Sequence, residues 1–274
     1  MKSIIILFLI NLIVVIVKCR EQSVLTWMGL ERTNETINSD LEQILSLTQI
    51  LDSVAFERFN LGANSTLIVN NFTDVQYPLQ TAGLKTLPMV STCCPFGRPE
   101  VIEYARQLIN NPQPFIDSAI QHAIDEGFDG WNIDIEPVGG DERDSIGYAN
   151  FIDSFAKQLH QYNKTLTVCA ATWTPFWNLS LLAQTSVDKI YTMSTYAGTF
   201  QGFQSALQFA IQSIPLNKLA VGVMTVDENN QPFSTEELTQ RFQLIINNNI
   251  KSLGIWSSPI PLNWLPFLKQ FVSS

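Results

Sequence analysis

From residue 21 onward, short runs rich in β-branched and apolar residues alternate with longer stretches of helical period, and no linker interrupts them. Eight runs read as strands: residues 24–29, 54–60, 85–91, 128–136, 165–172, 187–195, 219–225 and 252–257. Helical patterns lie between them, among them 38–51, 99–126 (broken at Asn111-Pro112), 143–162 and 235–248, and residues 267–272 could close the chain as a short final helix. Ser234 followed by Glu237 reads as the capping box of the helix at 235. The stretch 61–84 has Pro78, two glycosylation sequons and little period, so an irregular second connection is expected there. Eight β–α units in about 255 residues is the size of a minimal single-domain (β/α)₈ TIM barrel. A doubly wound open sheet is the alternative. It is disfavoured because Gly29-Leu30-Glu31-Arg32, not a glycine-rich phosphate loop, follows the first strand.

Charge and composition narrow the function classes. Only 15% of residues are charged and 46% are hydrophobic, which excludes a disordered or coiled-coil chain. The net charge is −9 and no Lys/Arg run occurs, so a nucleic-acid partner or attachment to anionic lipid is not expected. Two histidines, His122 and His160, make a Ser-His-Asp triad or a His-rich zinc site hard to build, and both fall in helical stretches where structural roles are expected. Carboxylate chemistry remains open.

The N-terminus adds a compartment. Lys2 precedes an apolar run from Ile4 to Val17, too short to span a bilayer comfortably, and Val17 and Cys19 suit a signal peptidase. Residues 1–19 are therefore expected to be a signal peptide and 20–274 the secreted barrel domain, with an uncleaved anchor as the alternative. In that compartment the sequons at Asn34, Asn64, Asn71, Asn163 and Asn178 become candidate glycosylation sites. The remaining cysteines, Cys93, Cys94 and Cys169, are odd in number. Cys93 or Cys94 could reach Cys169, but buried or loop thiols are the simpler expectation.

The segment Phe128-Asp129-Gly130-Trp131-Asn132-Ile133-Asp134-Ile135-Glu136-Pro137 carries the most chemistry. Strand alternation puts Trp131, Ile133 and Ile135 on one face and Asn132, Asp134 and Glu136 on the other. Helices cover the outside of a barrel, so the polar set is expected inside, where unpaired carboxylates are costly and a purely structural reason for stacking them is poor. Pro137 is expected to end the strand just after Glu136 and so place that residue at the C-terminal rim, where barrel enzymes keep their chemistry. Two carboxylates about 6–7 Å apart along a strand raise the pKa of one of them. The protonated one is a candidate general acid. Asn132 is expected to donate a hydrogen bond to Asp134 and orient it.

Asp129-Gly130-X-X-X-Asp134-X-Glu136 resembles the Asp-X-X-Asp-X-Asp-X-Glu signature of family 18 glycoside hydrolases, the chitinases and their chitobiase and endo-N-acetylglucosaminidase relatives. Val187-Asp188-Lys189-Ile190 followed by Met193 is similar to that family's sixth strand, and Trp256 after Gly254-Ile255 resembles the Trp that ends its eighth strand and floors the sugar subsite. The resemblance implies a (β/α)₈ barrel with the signature on strand four. It also implies that Glu136 protonates the glycosidic oxygen, and that Asp134 holds the substrate's 2-acetamido group, whose carbonyl is the nucleophile. Two positions depart from the pattern: Asn132 replaces the second signature Asp, and Tyr196 stands one place late with Ala197 where an Asp is usual. Only a bulge would then aim Tyr196 at the site.

Further candidates come from position alone. Glu57 faces opposite to Phe56 on the second strand, as a second rim carboxylate or as the partner of Arg58 or another base. Trp27, Trp173 and Trp256 lie near strand C-termini, where aromatic faces stack on sugars or simply pack. The candidate site is therefore catalytic Glu136 and Asp134 with substrate-binding Asn132, Tyr196, Trp256, Met193, Trp27 and Glu57. No metal or organic cofactor is implied. The expected activity is that of a monomeric, secreted glycosidase acting on β-linked N-acetylglucosamine glycans. A catalytically silent carbohydrate-binding barrel and a two-carboxylate hydrolase using Glu136 with Glu57 are the alternatives.

Overall fold

Nine strands and nine helices follow one another along a computed structural model that describes residues 20–28, 33–70, 74–92, 98–196, 198–227 and 229–274. The signal-peptide, Asn71, Cys93 and Cys94 expectations lie outside these residues. In chain order the first half comprises β1 (Ser23–Met28), α1 (Asn34–Ser46), β2 (Ser53–Leu61), β3 (Leu67–Val69), α2 (Gln76–Thr81), β4 (Lys85–Ser91), α3 (Glu100–Asn110), α4 (Gln113–Asp125) and β5 (Gly130–Asp134). The second half comprises α5 (Glu142–His160), β6 (Thr165–Ala170), α6 (Leu179–Gln184), β7 (Lys189–Thr192), α7 (Phe200–Ser213), β8 (Leu219–Met224), α8 (Thr235–Asn247), β9 (Ser252–Trp256) and α9 (Leu265–Val272).

Eight of the strands are parallel neighbours in the order β1-β9-β8-β7-β6-β5-β4-β2, and β1 also pairs with β2, so the sheet closes on itself. This is the (β/α)₈ barrel expected from the alternation. All eight expected strands are present. The irregular second connection holds a 3₁₀ turn at Ala63–Ser65, the short antiparallel β3 and the two-turn α2. The long helical pattern breaks at Asn111-Pro112 into α3 and α4, because proline has no N–H to continue the ladder. The capping box at Ser234 and Glu237 starts α8 as expected, and an equivalent one at Asp141 and Asp144 starts α5.

The eight strands bury both faces. Outward-facing Trp131 packs among Phe59 and Phe128 and donates its indole N–H to the Ala119 carbonyl of α4 at 3.1 Å. Inward-facing Trp27, Asn132, Thr167 and Tyr191 fill the barrel, with Trp27 and Tyr191 in an edge contact at 5.2 Å between ring centres. A side chain at Gly254 would collide with this layer, since its Cβ would lie 2.4 Å from Trp27 and 2.6 Å from Tyr191. Asp188 accepts from Leu166 N at 2.7 Å and lies 2.9 Å from His160, which makes both residues anchors of the turn into β7. His122 meets Glu126 at 2.8 Å on α4 and α4's C-terminal cap.

Candidate active site

β5 is the fourth strand of the barrel and sets the site's vertical axis. Asp129, just before it, accepts from Thr86 N at 2.8 Å and from the Thr86 hydroxyl at 3.1 Å, which fixes the height of β5 against β4. Asn132 and Asp134 then face inward opposite Met89 and Ser91 of β4. The strand ends at Asp134, so Glu136 stands beyond the last ladder pair, with its backbone N–H donating to the Thr92 hydroxyl at 2.8 Å. Both carboxylates therefore reach the C-terminal rim, Asp134 buried and Glu136 half-buried.

Above β5 lies a cavity of 250 Å³ lined by Asp134, Glu136, Cys169, Trp173, Met193, Tyr196, Met224 and Trp256. Its wall is mostly thioether, aromatic and thiol, so the carboxylates ionise with difficulty. Burial is the first cause that pushes Glu136 up to about 7, and the charge of Glu57 adds to it. Burial also pushes Asp134 well above the usual carboxylate range, with the charges of Glu136 and Glu57 acting in the same direction. The neighbouring Cys169 thiol, whose S–H donates to Asn132 Oδ1 at 3.5 Å, opposes the shift. Asp134 Oδ1 is buried without a hydrogen-bond partner among the described residues, an acceptor that a ligand N–H could fill.

Four further sequence candidates lie at this cavity beside Asp134 and Glu136: Met193, Tyr196, Trp256 and Trp173. Tyr196 arrives by a different route from the expected bulge. A 3₁₀ turn at Ser194–Tyr196 follows β7, closed by Tyr196 N to Met193 O at 2.9 Å and pinned by the Thr195 hydroxyl to the Gly222 carbonyl at 2.7 Å. The turn rotates the phenol one position back toward the barrel. Gly222 makes room for it: a Cβ there would sit 2.7 Å from the Tyr196 ring. Ser194 Oγ in turn accepts from Thr172 N at 2.9 Å, tying the loop that carries Trp173 to the turn that carries Tyr196.

Three candidates lie elsewhere. Trp27 is fully buried and does not line the cavity. It sits below the site, 5.8 Å from Trp256 between ring centres, and supports that ring instead of touching substrate. Asn132 is also buried beneath the cavity and does not bond to Asp134 as expected. Its Oδ1 accepts from Trp27 Nε1 at 2.9 Å and its Nδ2 donates to Thr167 at 2.9 Å. Glu57 falls in the register shift between Phe56 and Phe59, is buried and does not line the cavity, and its charge acts on Asp134 and Glu136. Arg58 is committed to Glu126 at 2.7 Å.

Cys169 and Met224 are cavity residues that sequence reasoning missed as such. Each is inward-facing near the end of its strand, and strand alternation on β6 and β8 could have found them. Cys169 is a free, buried thiol. Among the described residues, no group of three or more His, Cys, Asp and Glu side chains could hold a metal ion.

No protein-family model matches the chain, and no curated protein does. Solved structures do. A chitinase from Chromobacterium violaceum superposes with a TM-score of 0.76 at 14% identity, over 92% of this chain and 99% of that one. The spore cortex-lytic enzyme SleL of Bacillus megaterium gives 0.76 at 13% identity, over 91% and 74%. The family 18 chitinase ChiB of Flavobacterium johnsoniae gives 0.69 at 14% identity, over 92% and 94%. At these identities the likeness is one of fold: the chain is a single-domain (β/α)₈ barrel of the kind found in these chitinases and cortex-lytic enzymes.

Proposed function

We propose that the chain is a glycoside hydrolase acting on β-linked N-acetylglucosamine glycans, with Glu136 as general acid and the substrate's own acetamido group as nucleophile. One observation carries the reading: a carboxyl held up to about 7 and a second carboxylate with an unfilled oxygen face the same apolar cavity, floored by an aromatic ring. A group with that pKa is protonated enough to donate near neutrality and basic enough to take the proton back.

In the proposed reaction Glu136 gives its proton to the glycosidic oxygen as the bond from C1 to that oxygen breaks. The acetamido carbonyl oxygen attacks C1 and closes an oxazolinium ring. Asp134 accepts the acetamido N–H, which turns the carbonyl toward C1 and offsets the positive charge growing on nitrogen. The Tyr196 hydroxyl reaches the same group from the opposite wall, and Trp256 stacks on the apolar face of the sugar. Water then attacks C1 from the leaving-group side, giving its proton to Glu136, so the anomeric configuration is retained. No enzyme nucleophile is needed, so Glu57 has no covalent role in this reaction.

The reading extends to the compartment. Residues 1–19 are proposed to direct secretion, and Asn34, Asn64 and Asn163 are all exposed and suited to carry glycans. The functional test compares matched oligosaccharides with and without N-acetyl groups. Cleavage of the acetylated series alone, inhibited by a thiazoline mimic of the oxazolinium ring, is the expected result. Efficient cleavage of an unacetylated glucan would overturn substrate assistance.

A further inference from the structure

Trp173 is a wall with two sides. One faces the catalytic cavity; the other lines a second, larger cleft of 640 Å³ between the β6–α6 loop and α7. The catalytic cavity, at 250 Å³, falls below the roughly 300–1,000 Å³ of pockets that enclose a whole ligand. It has room for a single sugar ring, so the rest of any oligosaccharide must lie outside it.

The second cleft has the chemistry of a neutral, hydroxyl-rich ligand. None of its lining residues is ionisable, and Trp173 and Phe209 supply aromatic surface while Asn178 and Ser213 supply hydrogen-bonding groups. Trp173 is 55% exposed and Phe209 is 51% exposed, so both rings are open to a ligand in this cleft. Trp173 is braced from behind by Trp177 in an edge contact at 5.7 Å. Among the described residues, Thr174 Oγ1 and Trp177 Nε1 are buried in this wall without a hydrogen-bond partner. The bonds from Thr172 to Ser194 hold the whole loop against the Tyr196 turn, so the two cavities keep a fixed relation.

We infer that this cleft binds the sugar units of a β-linked oligosaccharide that extend past the ring held over Asp134 and Glu136, with Trp173 as the shared wall. The inference rests on the glycosidase reading for its substrate and adds a chain-length preference to it. Asn178 is the one competing feature: it lines the cleft, and as the first residue of a sequon it could carry a glycan that fills the space from the chain's own side.

The test uses the full chain and N-acetylglucosamine oligosaccharides of two to six units. In the wild type kcat/KM is expected to rise at least about tenfold from two to four units. Phe209→Ala should reduce that gain about fivefold, the size of a lost aromatic contact, and Phe209→Tyr should restore it. A merely structural role for Phe209 would lower activity on all lengths alike, and that result overturns the inference. In parallel, binding of the same oligosaccharides to Glu136→Gln reads the cleft without turnover. If the wild type cleaves nothing but Glu136→Gln still binds longer chains more tightly, and Phe209→Ala loses that preference, the glycosidase reading fails and the cleft stands. Length-independent binding, or a glycan found on Asn178 of the secreted protein, removes the cleft as a substrate site.

Discussion

The indole N–H of Trp27 donates to Oδ1 of Asn132 at 2.9 Å, one inward position below the carboxylate of Asp134. The amide group uses both its ends. Its Nδ2 donates to Thr167 Oγ1, whose own proton goes to the Trp131 carbonyl at 3.1 Å. An aspartate here could accept from Trp27 but could not donate to Thr167, whose hydroxyl would have to turn from the Trp131 carbonyl, and it would add a further buried carboxylate beside Asp134. Asn132→Asp should therefore lower stability by about 2–4 kcal/mol at pH 8, where it would be ionised, with a smaller loss at pH 4. Urea unfolding at the two pH values measures this; equal losses at both would show that charge is not the cause.

Glu136 makes the folded state sensitive to pH in a definite direction. Its carboxyl is held at about 7, above the ordinary 4.5, so the folded protein binds this proton more tightly than the unfolded chain does. The stabilisation linked to that proton is fully present below about pH 4.5 and is lost as pH rises through 7. Glu136→Gln cannot ionise and escapes the loss. Its stability relative to wild type should therefore improve by about 2–3 kcal/mol between pH 4.5 and pH 8. Parallel stability curves for the two proteins would mean that Glu136 is solvated like an ordinary surface carboxylate.

Glu57 acts on the site through space. Removing its charge in Glu57→Gln should let Glu136 ionise more easily and move the alkaline limb of the kcat/KM profile to lower pH, by up to about one unit for a charge at this range. Activity at the pH optimum should fall no more than about tenfold, because substrate assistance asks for no second enzyme carboxylate. A loss of several orders of magnitude would assign Glu57 to the reaction itself.

The parts of this site that were legible in the sequence are those that a period of two determines. Asn132 and Asp134 fall on one face of a strand whose other face is Trp131 and Ile133, although the strand stops two residues before Glu136 and not at Pro137; the barrel follows from the same alternation repeated eight times. Depth along the barrel axis is not written in that period. Trp27 points inward as the pattern requires, yet it sits one layer too low to meet substrate, because strand register against β9 and β2 sets its height. Tyr196 was illegible for another reason. Its direction depends on a 3₁₀ turn fixed by tertiary bonds from Thr195 to Gly222, and nothing local distinguishes that turn from a bulge. Glu57 lies in the register shift of β2, where alternation no longer applies.

Gly222 tests the packing that admits Tyr196. A methyl group there would lie 2.3 Å from the Thr192 carbonyl oxygen and 2.7 Å from the phenol ring, so strand or ring must move. Gly222→Ala should cost about 1–3 kcal/mol in stability and raise KM for N-acetylated substrates more than it lowers kcat. Thermal unfolding with steady-state kinetics on the same preparation separates the two effects. An unchanged KM would show that Tyr196 is not part of the sugar site.

The most direct test of Glu136 as the proton donor is the turnover of Glu136→Gln on an N-acetylglucosamine oligosaccharide, measured beside its binding of the same ligand. The amide keeps the shape of the side chain and removes its acidity, so turnover should fall about 10²–10⁴-fold or more while folding and oligosaccharide binding persist. Turnover within about threefold of wild type, in a folded protein that still binds the sugar, would contradict the account.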